Sequence, residues 1–345
     1  MSDADPQGIS TLDEVRALLP ELPGPDLEAG GAAAERQAVL TKPMGSLGRI
    51  EELAEWLACW QGRPQPIMER PHVAVFAGNH GVVARGVSAY PAEVTEQMVR
   101  NFIDGGAAVN QLSALAEAEL RVYELALDQP TVDFSRAPAM DEDSCVSAMA
   151  YGMMAIEPGY DVYALGEMGI GNTTSAAALC HALYGGRPED WIGRGTGLDD
   201  AGLARKAAVV GEAVECHRSA MTDSFEVLRC LGGRELAAIA GAILAARLAR
   251  VPVLLDGYAC TAAAAVLQVA DRHALDHCQV AHRSVEPGHS RLLETLGKRP
   301  LLDLDMRLGE ASGAALAISL LQAACACLSG MASFEEAGVS GRAES

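Results

Sequence analysis

Short apolar runs rich in β-branched and aromatic residues recur along this chain, each ending in a polar turn and most followed by strong helix formers. The runs are His72–Ala77, Leu120–Leu127, Tyr160–Leu165, Val251–Leu255, Gln279–His282 and Pro300–Leu304. Strands alternating with helices of about ten residues or more imply a mostly parallel sheet, and such a sheet needs helices on both faces. The alternation therefore predicts an α/β fold built on six strands. Half the residues are hydrophobic, enough for a large core, and only 4% are aromatic. That balance favours close-packed, alanine-rich helices on a sheet over a β-sandwich.

The polar residues of this pattern gather in the loops after the strands: Asn79 and His80, Glu167, Asp256, Ser284, and Asp305 to Glu310. Those loops share the carboxyl edge of the sheet, where open α/β sheets bind ligands. The richest is Gly166-Glu167-Met168-Gly169-Ile170-Gly171-Asn172-Thr173-Thr174, set between the run Tyr160–Leu165 and helix formers from Ser175 to Leu183. A strand, a glycine turn and a helix can aim backbone N–H groups at an anion. The turn contains neither Gly-Lys-Ser/Thr nor GxGxxG, which argues against a nucleoside triphosphatase and against a dinucleotide dehydrogenase. Tight strand–helix packing would explain the glycines; it would not explain the carboxylate, amide and hydroxyls among them.

A second glycine-rich loop, Gly193 to Asp200, leads into a helix reaching about Met221 that carries Lys206, a cation within reach of a phosphate. Its plain alternative is a solvated helix lysine. Glu310 stands just ahead of a long apolar helix, where a carboxylate is worth about 0.3–1 kcal/mol against the macrodipole with no other role. His80 and His282 lie at strand ends and could serve as general bases, although lone histidines are more often hydrogen-bonded structural residues. His273, His277 and His289 are read as structural.

Charge narrows the function further. With 26 basic against 46 acidic residues the net charge is −20, a field that repels nucleic acid and anionic membranes and excludes both as partners. It also repels an anionic substrate, so any phosphate site must be made locally from N–H groups and a few cations. The nine cysteines contain no CxxC and several lie in alanine-rich helical runs, as expected of small buried hydrophobes in a reducing cytosol. Cys278, His282 and His289 fit no metal-ligand spacing, so no metal is expected. The acidic start, Met1 to Asp5, is not followed by an apolar run and does not read as a signal peptide. Gly313 to Leu328 falls short of the roughly 20 apolar residues of a membrane span and reads as a buried helix.

Residues 1 to 65 read as helical, with helices at Ser10–Leu19, Pro25–Leu40 and Leu47–Trp60. Further helices are expected at Pro91–Asn101, Ala107–Ala118, Glu235–Ala249 and Thr261–Val269, and a loosely held tail after Phe334.

Several motifs then occur in one family's order: Lys42-Pro43-Met44-Gly45-Ser46-Leu47-Gly48-Arg49, Gly78-Asn79-His80-Gly81-Val82, Gly166 to Thr174 and Gly193 to Lys206. Leu255-Asp256-Gly257, Ser284-Val285-Glu286-Pro287-Gly288-His289 and Arg307-Leu308-Gly309-Glu310 complete the series. From about residue 40 to its end the chain resembles the nicotinate-nucleotide–dimethylbenzimidazole phosphoribosyltransferases of the cobalamin nucleotide-loop pathway.

The resemblance implies a Rossmann-like three-layer domain over residues 66–319, and a small helical domain from both termini, residues 1–65 with 320–345. It implies a cytoplasmic homodimer that uses no cofactor and moves the phosphoribosyl group of nicotinate mononucleotide to 5,6-dimethylbenzimidazole. Glu310 is then the general base and Glu167 a supporting carboxylate. Gly169, Gly171, Asn172, Thr173, Lys206, Gly257 and Ser284 match positions around the ribose phosphate; Met168, Leu308 and Gly309 match walls of the base pocket. The chain departs from the family pattern at Met44, where a second proline is expected, and at Tyr90 and Met98, where some members carry serine and glutamine. The last two make the pocket less polar. Another azole, a purine base, or a non-catalytic nicotinate mononucleotide sensor are the rival expectations.

Overall fold

The computed structural model describes residues 9–340; the acidic start at Met1 to Asp5 lies outside them. In chain order the elements are α1 (Leu12–Leu18), α2 (Leu27–Val39), α3 (Arg49–Gln61), β1 (Pro71–Ala77), α4 (Val94–Ile103), α5 (Ala108–Leu115) and β2 (Glu119–Glu124). They continue with α6 (Glu142–Met154), β3 (Val162–Met168), α7 (Asn172–Tyr184), α8 (Asp200–His217), α9 (Ser224–Leu231) and α10 (Arg234–Leu248). The last are β4 (Val253–Leu255), α11 (Tyr258–Ala270), β5 (Cys278–Val280), α12 (Pro287–Leu296) and α13 (Ser312–Gly330).

The sheet is parallel, in the order β2-β1-β3-β4-β5. Successive strand residues point to opposite faces. Val73, Val75 and Ala77 of β1 therefore join the core shared with α2, α3, α4, α5 and α13, while Ala74 and Phe76 join the core shared with α6 to α12. The strand order reverses between β1 and β3, so the crevice at their carboxyl ends is a topological switch point. That is where the glycine-rich turn leaves β3.

Among the described residues five strands form where six were expected. The run Pro300–Leu304 makes only an isolated bridge from Leu302 to His282, with Leu301 N and Leu302 N donating to Val280 O and Ala281 O. Pro300 has no N–H to extend a ladder, and the chain turns away at Asp305, whose φ is +54°. Helices α6, α9 and α12 were not foreseen. After its first turn the exposed face of α6 carries Ser147, Tyr151 and Met154, so the charged stripe that marks a surface helix is missing from the sequence. The expected long helix through Met221 instead ends at His217, and α9 restarts behind the Asp223 cap. Pro287 opens α12 at its first turn, the one helical position where proline is at home. At the amino end Thr11, not Ser10, caps α1, in a capping box with Glu14.

Close helix packing replaces aromatic bulk. A Cβ on Gly152 of α6 would stand 1.8 Å from Ala238 O of α10, and one on Gly241 of α10 would stand 2.0 Å from Met149 O of α6. Two backbones this close leave no room for a side chain. Gly152→Val is accordingly expected to lower the unfolding free energy by at least about 1–3 kcal/mol, read from urea titrations at constant m-value.

Helices from the two chain ends meet: α13 packs on α2 and α3, and Leu40 bridges Ser333 in antiparallel fashion. The tail is held more firmly than expected, with Phe334 N donating to Val39 O and Val339 N to Phe334 O. The expected boundary between residues 319 and 320 falls inside α13, which also packs on β1, β3 and β4. Helix α1 stands apart from α2 and α3, sending Leu12 and Val15 into the core on the other face. By length and composition alone α13 could cross a membrane, yet half of its apolar window is buried within the fold. Six cysteines are buried, Cys59 and Cys327 are part-buried and Cys216 is exposed; all nine are free thiols.

Candidate active site

At the carboxyl edge of the sheet a cavity of about 700 Å³ opens between the ends of β1, β3, β4 and β5. Its wall contains Glu167, Met168, Gly169, Gly171, Asn172 and Thr173 from the β3–α7 connection, with Gly257 and Ser284 beyond β4 and β5. Leu308, Gly309 and Glu310 also line it, as do Tyr90 and Met98. Thus the sequence-based candidates converge on one cavity, except Lys206 and His80.

Strand β3 runs farther than its apolar run suggested, so Glu167 and Met168 are strand residues and the turn proper is Gly169-Ile170-Gly171. A Cβ on Gly169 would lie 2.6 Å from Gly78 O, and Gly171 adopts φ +96°, a region open to glycine. Not all of the turn's N–H groups face a ligand. Ile170 N donates to Thr95 Oγ1, Asn172 N to Gly169 O and Thr174 N to Gly171 O, so the anion cradle is narrower than the pattern suggested. Behind the turn, His80 Nε2 is paired with Glu235 Oε1 in full burial. His80 braces the glycines and does not line the cavity, which removes it as a general base.

Glu310 is positioned by backbone strain. Glu310 and Ala311 have φ of +62° and +60°, consecutive non-glycine residues in the left-handed region, each costing about 1–3 kcal/mol. Three contacts hold them there. Glu310 N donates to Glu167 O at 3.2 Å, and Ser312 N and its hydroxyl both donate to Gly309 O. Gly166 supplies the space, because a Cβ on it would stand 2.2 Å from Ala311 N. The outcome is a carboxylate only 7% exposed in the cavity wall. Burial, and then the charge of Asp256, pushes its pKa up to about 7.

Glu167 sits beside it, its carboxylate accepting from Asn172 Nδ2. Burial raises Glu167 well above the ordinary carboxylate range, and the charges of Asp256, Glu235 and Glu310 add to that against the Asn172 hydrogen bond. Asp256, wholly buried, accepts from Ala314 N at 2.9 Å and so ties the start of α13 to the end of β4. Burial raises Asp256 as well, opposed by His282, whose Nε2 lies 3.6 Å from Asp256 Oδ1. The site is therefore a set of closely spaced, buried carboxyl groups, each of which holds its proton more tightly than an ordinary carboxyl does.

Lys206 is not the solvated lysine of the plain reading, nor does it reach the cavity. It is completely buried on α8, donating to Thr173 Oγ1 at 2.8 Å and to Gly193 O at 3.3 Å. Burial lowers its pKa to about 8, against the stabilising charge of Glu286. Glu286 accepts from Gly195 N at 2.9 Å and was missed as a site residue. Its signal was its place in the motif Ser284 to His289; in the fold a Cβ on Gly193 would stand 1.8 Å from Glu286 Oε2, so the loop at Gly193 and this motif are shaped to fit each other. His289 is structural as read. Its Nδ1 accepts from Ser284 N, its Nε2 meets Thr261 Oγ1, and burial lowers its pKa to about 3. Among the described residues no three His, Cys, Asp or Glu side chains converge in a way that could hold a metal ion.

A family model described as a phosphoribosyltransferase matches residues 22–339. The nicotinate-nucleotide–dimethylbenzimidazole phosphoribosyltransferase of Ruegeria sp. strain TM1040 is 58% identical over 332 residues, covering 96% of this chain and 98% of that one. Its namesake from Agrobacterium fabrum is 58% identical over 330 residues, 96% of each. This chain belongs to that phosphoribosyltransferase family. The crystal structure of CobT from Thermus thermophilus superposes with a TM-score of 0.85 at 44% identity, covering 91% of this chain and 99% of that one. The expected α/β fold on a parallel sheet is the one observed and superposes on that structure, and the assignment of the chain as a transferase agrees with these family members.

Proposed function

We propose that the chain transfers the phosphoribosyl group of nicotinate mononucleotide to a ring nitrogen of 5,6-dimethylbenzimidazole, giving α-ribazole 5′-phosphate and nicotinate. The observation that carries this reading is Glu310, a buried carboxylate in the cavity wall raised to about 7. A general base works best with a pKa near the operating pH. One azole nitrogen attacks the anomeric carbon as the bond to the pyridinium nitrogen breaks. The electron pair of that bond leaves with nicotinate, whose ring nitrogen becomes neutral without needing a proton. The other azole nitrogen loses its proton to Glu310. One decisive base therefore suffices.

The surrounding charges fit the same substrate. A pyridinium nucleoside carries positive charge on its ring, and in the transition state on its ribose, into a wall holding Glu167 and Glu310 with Asp256 behind them. Glu167 supplies electrostatic support and a fixed position for Asn172. The Thr173 hydroxyl, accepting from Lys206, keeps its own proton for a phosphate oxygen. Gly169, Gly171, Gly257 and Ser284 complete that subsite, while Met168, Tyr90, Met98, Leu308 and Gly309 wall the base. Tyr90 and Met98 favour an apolar azole over a purine, and a base-competition assay ranks the two.

We also propose a cytoplasmic homodimer, supported by the free thiols and by Tyr90 and Leu308, apolar residues of the cavity wall that are more than half exposed. The terminal segments, 1–65 with 320–345, are proposed as a small domain, supported by the joining of α2, α3 and the carboxyl tail.

The test is chromatography of protein incubated with nicotinate mononucleotide and dimethylbenzimidazole. Equal amounts of nicotinate and α-ribazole 5′-phosphate are expected; nucleotide binding without either product would overturn the catalytic reading. Lys206→Met is expected to raise KM for the nucleotide about tenfold, the scale of one lost charge-assisted contact, with kcat changed only a few-fold. An unchanged KM would remove Lys206 from the phosphate subsite.

A further inference from the structure

Lys206, buried behind Thr173, leaves the phosphate of the proposed substrate without a lysine in direct contact. A phosphate dianion entering a chain of net charge −20, into a wall that already holds Glu167, Glu286 and Glu310, requires a cation at the surface of the cavity. Among the described residues, Arg307 is the only lysine or arginine in that wall.

Arg307 is arranged unlike most arginines of this chain. It is exposed, and no carboxylate lies within ion-pairing distance of it among the described residues, although Glu167, Glu286 and Glu310 line the same cavity. Its hydrogen bond runs from Nη1 to Gly195 O at 3.1 Å. A guanidinium has five donors in a planar fork, so most of this one remain available. Gly195 places the group. A Cβ on Gly195 would lie 2.9 Å from Thr173 Oγ1 and 3.4 Å from Lys206 Nζ, so the carbonyl that anchors Arg307 belongs to the residue packed on the Thr173–Lys206 pair. From there the chain runs through Leu308 and Gly309 to Glu310. Arg307 thus stands at the phosphate end of the same short segment whose other end carries the base.

We propose that Arg307 is the direct cationic ligand of the nucleotide's phosphate monoester, its guanidinium bridging the phosphate to the Gly195 carbonyl while Lys206 acts one step behind through Thr173. This rests on the phosphoribosyl transfer proposed above. It gives the segment 307–310 two tasks at once: phosphate binding at Arg307 draws the Glu310 turn against the nucleotide. The two glycine-rich motifs and this segment meet around one anion.

The test compares two ligands that differ only by the phosphate. Dissociation constants of α-ribazole 5′-phosphate and of α-ribazole are measured by competition against nicotinate mononucleotide, for the wild type, Arg307→Gln and Arg307→Lys. Arg307→Gln is expected to weaken the phosphorylated ligand at least about 30-fold, in the range of a lost charge-assisted bidentate contact, and α-ribazole less than about threefold. Arg307→Lys recovers part of the loss, since it keeps the charge without the fork. Equal weakening of both ligands would make Arg307 a roof residue and overturn the proposal, and so would no weakening of either. Failure of the transferase reading itself is separately visible, because the wild type would then show no turnover.

Discussion

Glu310→Gln is expected to fold, to bind nicotinate mononucleotide, and to lose at least about 10²-fold in kcat, the low end of general-base effects. The wild-type pH profile should carry an acidic limb near pH 7, because Glu310 is raised to about 7 and accepts a proton only when ionised. The variant should lack that limb. A stability measurement provides a second, opposite-signed readout. Because burial and Asp256 raise Glu310 from 4.5 to about 7, the folded chain holds this proton more tightly than the unfolded chain does. The stabilisation from the bound proton is complete below about 4.5 and is lost as pH rises through 7. Glutamine never acquires the charge. Glu310→Gln should therefore be more stable than wild type at pH 8, by on the order of 1–3 kcal/mol, and close to it at pH 4. Denaturant titrations at the two pH values check this. A variant that keeps near wild-type turnover would remove Glu310 as the base; one with no pH-dependent stability gain would show the carboxylate ionised at ordinary pH.

That pairing of lost activity with gained stability is what a preorganised site predicts. It also marks what the sequence could and could not convey. The alternation of apolar runs and helix formers placed β1, β3 and β4 and identified the carboxyl edge as the site, because strand period and helix propensity are local properties. The run Pro300–Leu304 failed as a strand because pairing depends on a neighbour, and here the neighbouring chain offers only the short stretch from Val280 to His282. Glu310 was legible through its motif. Its strained backbone was not, since nothing in the residue types Glu and Ala announces two successive positive φ values. Lys206 illustrates the same limit from the opposite side. Charge alone makes it a surface residue; only the fold shows it enclosed between Thr173, Gly193 and Glu286. Asp256 and Glu235, which raise the carboxylates facing the cavity, come from the end of β4 and from α10, far from Glu167 in sequence. No local pattern carries that information.

Gly166→Ala is the sharper test of how the site is built, because it removes no polar atom and alters none of the proposed catalytic side chains. Local propensity predicts a small gain, since alanine suits a strand better than glycine by roughly 0.5–1 kcal/mol, and Gly166 is not among the positive-φ residues. Packing predicts the reverse. The new Cβ would stand 2.2 Å from Ala311 N and 2.5 Å from Ala311 Cα, both backbone atoms that no rotamer change can move. One of the two chains must shift. β3 is held on both sides by β1 and β4, whereas the Glu310–Ala311 turn already sits in strained backbone, so the turn gives way. A displacement of about 1 Å at a reacting group can cost on the order of 10²-fold in rate. Gly166→Ala is accordingly expected to lower kcat by about that factor and to destabilise the fold by about 1–3 kcal/mol. KM for nicotinate mononucleotide should change less, since Thr173 and Ser284 of the phosphate subsite lie on other segments and Arg307, three residues ahead of Glu310, keeps its own hydrogen bond to Gly195 O. Turnover within about threefold of wild type would mean that the turn tolerates the methyl group, and that Glu310 is held by its hydrogen bonds rather than by the space Gly166 leaves.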